Sequence, residues 1–239
     1  YFPGRVELCF GVGAPRDLEA AGLEAPQPLR TLREAIQLSR ALLAGELVKY
    51  QGQRFKIHDR RLATGPRSLP IVLAASGPQM LELAGAEADG VLISAATSPA
   101  FIRWTLEHVA RGEAQSGRKV RRIALVYASV DQQEKAARDR LRRMLAFILR
   151  GAHHARNLQL GGTVLDQAAL AAAFASEDWA SVERLVTDDV VRRHTASGTP
   201  EQVREAIAGY LAVGLDEIVI AGAAASPSLS WILETAQGR

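Results

Sequence analysis

The stretch "SLPIVLAASGPQMLELAGAEADGVLIS", from Ser68 to Ser94, decides the fold. Residues 70–75 are continuously apolar, as a parallel strand buried on both faces is. A turn of small residues follows, and residues 78–87 then show helical apolar spacing with a proline in the first turn. A second apolar run begins after Asp89 and Gly90. The stretch therefore predicts a strand, a helix and a second strand joined by a right-handed crossover.

The same unit recurs along the chain. Further strands are predicted at 6–12, 121–130 and 217–222, and helices at 28–44, 99–115, 200–213 and 227–236. Residues 14–27 are predicted to be a loop, and residues 46–59 a small hairpin that turns at Gln51 and Gly52. Five main strands that alternate with helices indicate an α/β fold with a parallel sheet. The pattern alone leaves a closed barrel and an open sheet both possible.

The region from 132 to 194 is predicted to be almost entirely helical. Its breaks fall at Gly151, at Gly161 and Gly162, and at 176–178. We expect one domain over residues 1–239, with 132–194 as a helical insertion that covers the mouth of the site or forms a dimer interface.

Composition excludes several classes of protein. With 239 residues and 48% hydrophobic content, the chain can bury a substantial core. No apolar run is long enough for a membrane span and no signal peptide is recognisable, so we expect a cytoplasmic protein with no membrane partner. Aromatic residues make up only 5%, and no basic stripe contains interleaved aromatics. We therefore expect no nucleic-acid partner.

Several conspicuous residues have plain structural interpretations. Cys9 is expected to be a buried small hydrophobe, and His153 with His154 a solvent-facing pair rather than a metal site. Acidic pairs at 177–178 and 188–189 are expected at helix starts. The basic runs at 118–122 and 138–143 are interpreted as solvated faces, with a docking surface for an acidic cofactor tail as the alternative.

Nucleotide-binding motifs are absent. The segment "GVGAPR" at 11–16 has Arg16 where a dinucleotide fingerprint needs its third glycine, and no Walker-type GxxxxGK[ST] sequence occurs.

The turn after residue 75 is the best candidate site. Small residues let backbone N–H groups approach an anion, Ser76 adds a hydroxyl donor, and the helix that begins near Pro78 directs its positive end to the same place. The alternative is that a tight strand-to-helix turn simply favours serine, glycine and proline. Sequence alone leaves both open.

Three segments together resemble the luciferase-like family of flavin and deazaflavin oxidoreductases: "GRVELCFGVG", "PIVLAASGPQMLELAGAEADGVLIS" and "SGTPEQVREAIAGYLAVGLDEIVIAG". The branch that they resemble is the methylenetetrahydromethanopterin reductases that use coenzyme F420. The resemblance implies a (β/α)8 TIM barrel, of which this chain would hold strands four to eight, with strands one to three upstream of Tyr1.

The resemblance also implies a set of cofactor-binding residues. The loop after the second predicted strand would cradle the cofactor phosphate, two residues after the next strand would contact the same region, and two residues after the first strand would lie near the ribityl chain or ring. In that order they are Ala75, Ser76, Gly77, Pro78, Gln79 and Met80; Ser94 and Thr97; Gly13 and Ala14. The family's ring-facing acidic and histidine positions have no match here, so no catalytic residue and no metal ligand is named.

Three functional hypotheses follow from the resemblance. The first is an oxidoreductase that transfers hydride between F420 and a small organic or pterin substrate. The others are a monooxygenase that uses FMN, and a non-catalytic remnant that serves as a binding or assembly module. By analogy with the family we expect a homodimer. The sequence does not identify the substrate.

Overall fold

The structure, a computed structural model, describes residues 6–222 together with residues 231, 232 and 234. These fall into two compact units, residues 6–92 with 105–121, and residues 93–104 with the described residues from 122 onward. Each unit is described by itself. The helix predicted over 227–236 lies almost wholly outside the described residues.

The first unit contains a small parallel sheet, a hairpin and helices. In chain order its elements are β1 (Leu8–Phe10), α1 (Pro15–Ala20), α2 (Pro28–Leu43), β2 (Val48–Gln51), β3 (Lys56–Arg60), β4 (Ile71–Ala75), α3 (Pro78–Glu87), β5 (Gly90–Ile93) and the second half of α4 (Pro99–Ser116). Strand β4 lies between β1 and β5. β1 pairs with β4 in parallel, Leu8 opposite Ile71 and Phe10 opposite Leu73. The predicted strand, helix and strand from 70 to 93 are confirmed.

Two predictions for the start of the chain are wrong. The segment predicted as a loop contains α1, because Pro15 stands in its first turn and Asp17 adds a favourable negative charge there. Cys9 is exposed rather than buried. Within the described residues β1 pairs with β4 alone, so it forms the edge of its sheet.

Helix α3 is held closely by the second half of α4. A Cβ atom added to Gly85 would lie 2.2 Å from the carbonyl oxygen of Val109, and one added to Gly112 would lie 2.0 Å from that of Glu82. Only glycine permits this approach at either position. The start of β4 is held by Asp89. The Asp89 carboxylate accepts hydrogen bonds at 2.9 Å from the backbone N–H of Ile71, the first residue of β4, and from Arg40.

The second unit is built around one long strand. Its elements are the first half of α4, β6 (Arg121–Val130), α5 (Glu134–Leu149), a 3-10 turn (Ala152–His154), α6 (Ala155–Leu160), α7 (Gln167–Ala175), α8 (Trp179–Leu185), α9 (Asp188–His194), β7 (Ala196–Gly198), α10 (Pro200–Leu211) and β8 (Glu217–Ala221). Strand β6 pairs in parallel with β7 and with β8. Strand β7 was not predicted, because the three residues "ASG" carry no β-propensity signal.

Helices cover most of residues 134–194, and they are interrupted at the predicted places and also at 186–187, where no break was predicted. Its helices enclose an apolar core that includes Leu141, Leu145, Leu149 and Leu170. The acidic pairs also behave as expected: the Asp178 side chain caps α8, and 188–189 lie in the first turn of α9.

Two side chains expected in solvent are buried instead. Arg142 is 6% exposed, and its guanidinium contacts Asp139, Asp188 and the carbonyl oxygen of Val186, which satisfy its charge inside the helical region. His154 is 7% exposed, because the 3-10 turn directs it inward while His153 remains exposed.

Helix α10 begins as its sequence predicts. Thr199 and Gln202 form a complete capping box, and Pro200 occupies the first helical position. Among the helices in the described part of the chain, none is long and apolar enough to cross a membrane.

Candidate functional site

The turn between β4 and α3 is open. Ala75 is buried, Met80 is half-buried, and the four residues between them are exposed. A Cβ atom added to Gly77 would meet no atom within 4 Å. Gly77 is also the N-cap of α3, with extended backbone and no side-chain cap. Because the first N–H groups of a helix have no acceptor within the helix, this turn presents unsatisfied donors to an incoming anion.

The turn forms one end of a groove within the first unit. The groove has a volume of about 1050 Å³ and is bounded by Gly77–Met80, by the N-terminal half of α2 and by Tyr50 of the hairpin. Ligand pockets have volumes of this order. The turn predicted to bind phosphate therefore opens into a space large enough for the rest of a cofactor-sized molecule.

Glu34 fixes the hairpin wall of this groove. Its carboxylate is 4% exposed and accepts hydrogen bonds from the backbone N–H groups of Gln53, Arg54 and Phe55 at 3.1–3.3 Å. Burial opposes ionisation, but these N–H donors, with Arg30, hold the pKa of Glu34 below its ordinary value. A Cβ atom added to Gly52 would lie 2.5 Å from Oε2 of Glu34, so the turn needs glycine there.

Gly13 and Ala14 follow β1, at the same end of the strand pair as the β4 turn, because β1 and β4 run in parallel. Gly13 has a φ of +78°, which favours glycine. Gly13 lines a separate cavity of about 550 Å³, which includes Leu18 and Leu23. The structure thus places these two residues at the predicted edge but not in the groove that contains Gly77.

Ser94 and Thr97 lie in the second unit, in the loop after β5. Ser94 is half-buried and Thr97 is 2% exposed. The Thr97 hydroxyl donates to the carbonyl oxygen of Ser94 at 3.1 Å, and the Thr97 carbonyl accepts from the Tyr210 hydroxyl at 2.9 Å. This loop is therefore held by internal hydrogen bonds.

Asn157 of α6 fixes the same loop from the other side. Its Nδ2 donates to the carbonyl oxygen of Ala96 at 2.7 Å, and its Oδ1 accepts from the backbone N–H of Ser98 at 2.9 Å. Ala96 has a φ of +59°, in the left-handed region that few non-glycine residues adopt. Asn157 is fully buried. The helical region from 132 to 194 therefore determines the shape of the loop that carries Ser94 and Thr97.

His194 completes this network. Its Nδ1 lies 3.1 Å from the Ala96 carbonyl oxygen, which can only accept, so Nδ1 carries the proton and Nε2 accepts from the Thr163 hydroxyl at 2.9 Å. Burial lowers the pKa of His194 to about 4. Burial also lowers the pKa of His154 to about 4, with an added contribution from the neighbouring histidine. Both rings are neutral at pH 7.

Sequence reasoning missed the groove arginines of α2 and the pair Asn157 and His194. The chain's single asparagine, between Arg156 and Leu158, was the only signal for the network. The residues that it contacts are far apart in sequence. Among the described residues, no group of three histidine, cysteine, aspartate or glutamate side chains is placed to hold a metal ion.

The class of protein follows from the comparisons with known proteins. Residues 1–217 match the family model described as luciferase-like monooxygenase, and the chain belongs to that family. It is 34% identical over 225 residues to a 5,10-methylenetetrahydromethanopterin reductase of Archaeoglobus fulgidus, which covers 90% of this chain and 67% of the relative. It is 32% identical over 229 residues to the enzyme of the same name from Methanolobus tindarius, with 94% and 70% covered. The resemblance inferred from the three sequence segments is confirmed.

A solved structure shows the fold. The coenzyme F420 dependent tetrahydromethanopterin reductase from Methanopyrus kandleri superposes with a TM-score of 0.82 at 24% identity, over 96% of this chain and 71% of that one. The chain therefore has the α/β fold of that enzyme.

Proposed function

We propose that the protein is an oxidoreductase that transfers hydride between coenzyme F420 and a small organic or pterin substrate. The observation that carries the proposal is the open Gly77 turn at the start of α3, in a chain that is 34% identical to a methylenetetrahydromethanopterin reductase. F420, when bound, supplies the deazaflavin carbon that accepts or donates the hydride. The chain's own residues bind and orient it.

The residues of the turn suit the phosphate of such a cofactor. Gly77 leaves the backbone accessible, and the exposed Ser76 can add a hydroxyl to the N–H donors of Gln79 and Met80. The buried Ala75 ends β4 and anchors the turn, and Pro78 begins α3 without removing a donor that the helix needs. We propose these six residues as the phosphate cradle.

The remaining site residues are proposed on the same basis. Ser94 and Thr97 would contact the phosphate region from the loop that Asn157 shapes. Gly13 and Ala14 would lie near the ribityl chain or ring. In this proposal residues 1–239 form part of one (β/α)8 barrel, whose strands four to eight are β1, β4, β5, β6 and β8, and 132–194 is its helical insertion. A cytoplasmic homodimer is proposed by analogy with the family, and sedimentation tests it.

Hydride transfer is tested directly with the protein expressed from its complete reading frame. Reduced F420 is mixed under anaerobic conditions with methylenetetrahydromethanopterin, and the absorbance of oxidised F420 is followed. Reoxidation that needs both protein and pterin supports the proposal. If the protein binds F420 but this pterin does not reoxidise it, the substrate is another small molecule. Oxygen-dependent turnover with reduced FMN and none with F420 replaces the proposal with the monooxygenase. Binding of neither cofactor favours the remnant.

A further inference from the structure

Two arginines of α2 line the groove that begins at the Gly77 turn. Arg30 and Arg33 stand three residues apart, so they share one face of the helix. Their side chains are about half exposed, at 51% and 47%. Neither belongs to the basic runs at 118–122 and 138–143, which had suggested a docking surface for an acidic tail.

Each arginine is held by its Nε atom. Arg30 Nε donates to Glu34 at 3.3 Å, and Arg33 Nε donates to Glu87 at 2.7 Å. These bonds engage the Nε atoms, and each side chain carries four further N–H donors on its terminal nitrogens. Within the described residues these terminal nitrogens make no hydrogen bond.

The supporting carboxylates do not cancel the positive charge of the groove. Glu34 is already bound by three backbone N–H groups, and Glu87 lies at the far end of α3 from the Gly77 turn. The polar residues beside the arginines, Gln27, Gln37 and Tyr50, add no carboxylate. A ligand that runs from the turn along α2 therefore meets two guanidinium groups with free donors.

By contrast, three of the four arginines of the basic run on α5 are already paired with carboxylates, and the fourth, Arg143, lies over the Trp179 ring. Arg138 contacts Glu134 and Asp188, Arg140 contacts Asp131, and Arg142 is buried against Asp139 and Asp188. Pairing of this kind stabilises helices and leaves little capacity for a ligand. The structure therefore favours α2 over α5 as the binding surface for an acidic cofactor tail.

We infer that Arg30 and Arg33 bind the acidic tail of the cofactor, the string of glutamyl carboxylates that F420 carries beyond its phosphate. This inference rests on the proposed function, because it requires F420 to be the ligand of the Gly77 turn. The guanidinium fork matches a carboxylate in a bidentate manner, and the N–H donors remaining on each arginine allow it. The two arginines set the preference for tail length and leave the deazaflavin ring untouched.

The test compares F420 that carries several glutamates with the form that carries none. Dissociation constants are measured by fluorescence for the protein from its complete reading frame and for the double variant Arg30→Ala/Arg33→Ala. We expect the glutamylated form to bind about three- to tenfold more tightly to the unmodified protein, since exposed ion pairs contribute modestly and two of them act together. The double variant should bind both forms alike, with the affinity for the tailless form unchanged.

A matched control removes the same charge elsewhere in the first unit. Arg60 and Arg61 are exposed and do not line the groove, so Arg60→Ala/Arg61→Ala should keep the preference for the tail. Arg30→Lys/Arg33→Lys, which keeps the charge but not the fork, should keep part of it. Thermal unfolding of each variant shows whether loss of the Glu87 pair has disturbed the fold.

The outcomes separate the inference from the proposed function. If the unmodified protein binds F420 with no preference for the tail, or if the preference survives in the double variant, the inference is wrong and the proposed function stands. An equal loss of affinity for the tailless form also contradicts it. If the unmodified protein binds neither form, the proposed function itself fails.

Discussion

Asn157 donates to the carbonyl oxygen of Ala96 at 2.7 Å, and Ala96 holds a backbone φ of +59°. The strained residue and its hydrogen-bond donor are far apart in sequence, one after a strand of the sheet and the other in the helical region. Backbone strain of this kind persists only where surrounding contacts determine it. The helical region thus shapes the loop that carries Ser94 and Thr97.

Replacement of Asn157 by alanine removes one donor and one acceptor from a fully buried place. The Ala96 carbonyl would keep only His194, and the backbone N–H of Ser98 would lose its side-chain partner. We expect the free energy of unfolding to fall by about 2–4 kcal/mol, measured by chemical denaturation. Gln159→Ala, on the same helix but exposed, is the matched control and should change it by less than about 0.5 kcal/mol. Similar values for the two variants would contradict the role given to Asn157.

The buried histidines predict how stability depends on pH. Both folded-state pKa values are lowered from 6.5 to about 4, so between these pH values the unfolded chain binds more protons than the folded one. Stability is therefore complete above pH 6.5 and is lost as the pH falls toward 4, by up to about 3 kcal/mol for each ring. Denaturant unfolding at pH 7 and pH 5 measures the loss.

Substitution of His154 measures how much this residue contributes to the loss of stability at low pH. His154→Gln should reduce the difference in unfolding free energy between pH 7 and pH 5, because one of the two buried groups no longer titrates. His153→Gln, at the exposed neighbour, should reduce the difference much less, because it removes only that neighbour's contribution to the lowered pKa of His154. An unchanged difference in the His154 variant would show that other groups cause the acid sensitivity.

Replacement by alanine should lower the stability of the protein at one helix glycine and raise it at another. At Gly112 the new methyl group would lie 2.0 Å from the Glu82 carbonyl oxygen, so α3 and α4 must separate and stability should fall by about 1–3 kcal/mol. At Gly209 of α10 it would meet no atom within 4 Å, and alanine's higher helix propensity should raise stability by about 0.5–1 kcal/mol. Thermal unfolding of the two variants measures both changes in stability. A stable Gly112→Ala protein would contradict the close packing of α3 and α4.

Gly77→Asp tests the phosphate cradle. The backbone there has a φ of −90° and open surroundings, so aspartate fits without strain, but its carboxylate would oppose the incoming phosphate. We expect F420 affinity to fall at least tenfold, by about 1.4 kcal/mol or more, with thermal stability unchanged. Gly77→Ala is the uncharged control and should bind with nearly the original affinity. Unchanged F420 binding in the aspartate variant would remove Gly77 from the site.

Much of the fold could be predicted because its signals are local. The apolar run before Ser76, the capping box at Thr199 and the breaks of the helical region all depend on neighbouring residues, and the structure has them where they were predicted. Strand β7 was not predicted, because its three small residues adopt a strand conformation only through pairing with β6. The prediction that Cys9 is buried was wrong, because burial depends on what packs over a strand and apolar neighbours in the sequence do not determine that.

The candidate site divides in the same way. The Gly77 turn is contiguous in sequence, so its chemistry could be recognised from the residues alone. Arg33 and Asn157 act through partners tens of residues away, and Arg30 lines a groove that only the folded chain forms. The basic run on α5 is conspicuous in the sequence, but three of its four arginines are paired with aspartate or glutamate.

The central claim is that the site selects coenzyme F420. The most direct measurement is a fluorescence titration of the protein from its complete reading frame with oxidised F420 and, separately, with FMN. The account predicts micromolar binding of F420, with FMN at least about tenfold weaker, a difference of about 1.4 kcal/mol. Preference for FMN, or binding of neither, would contradict it.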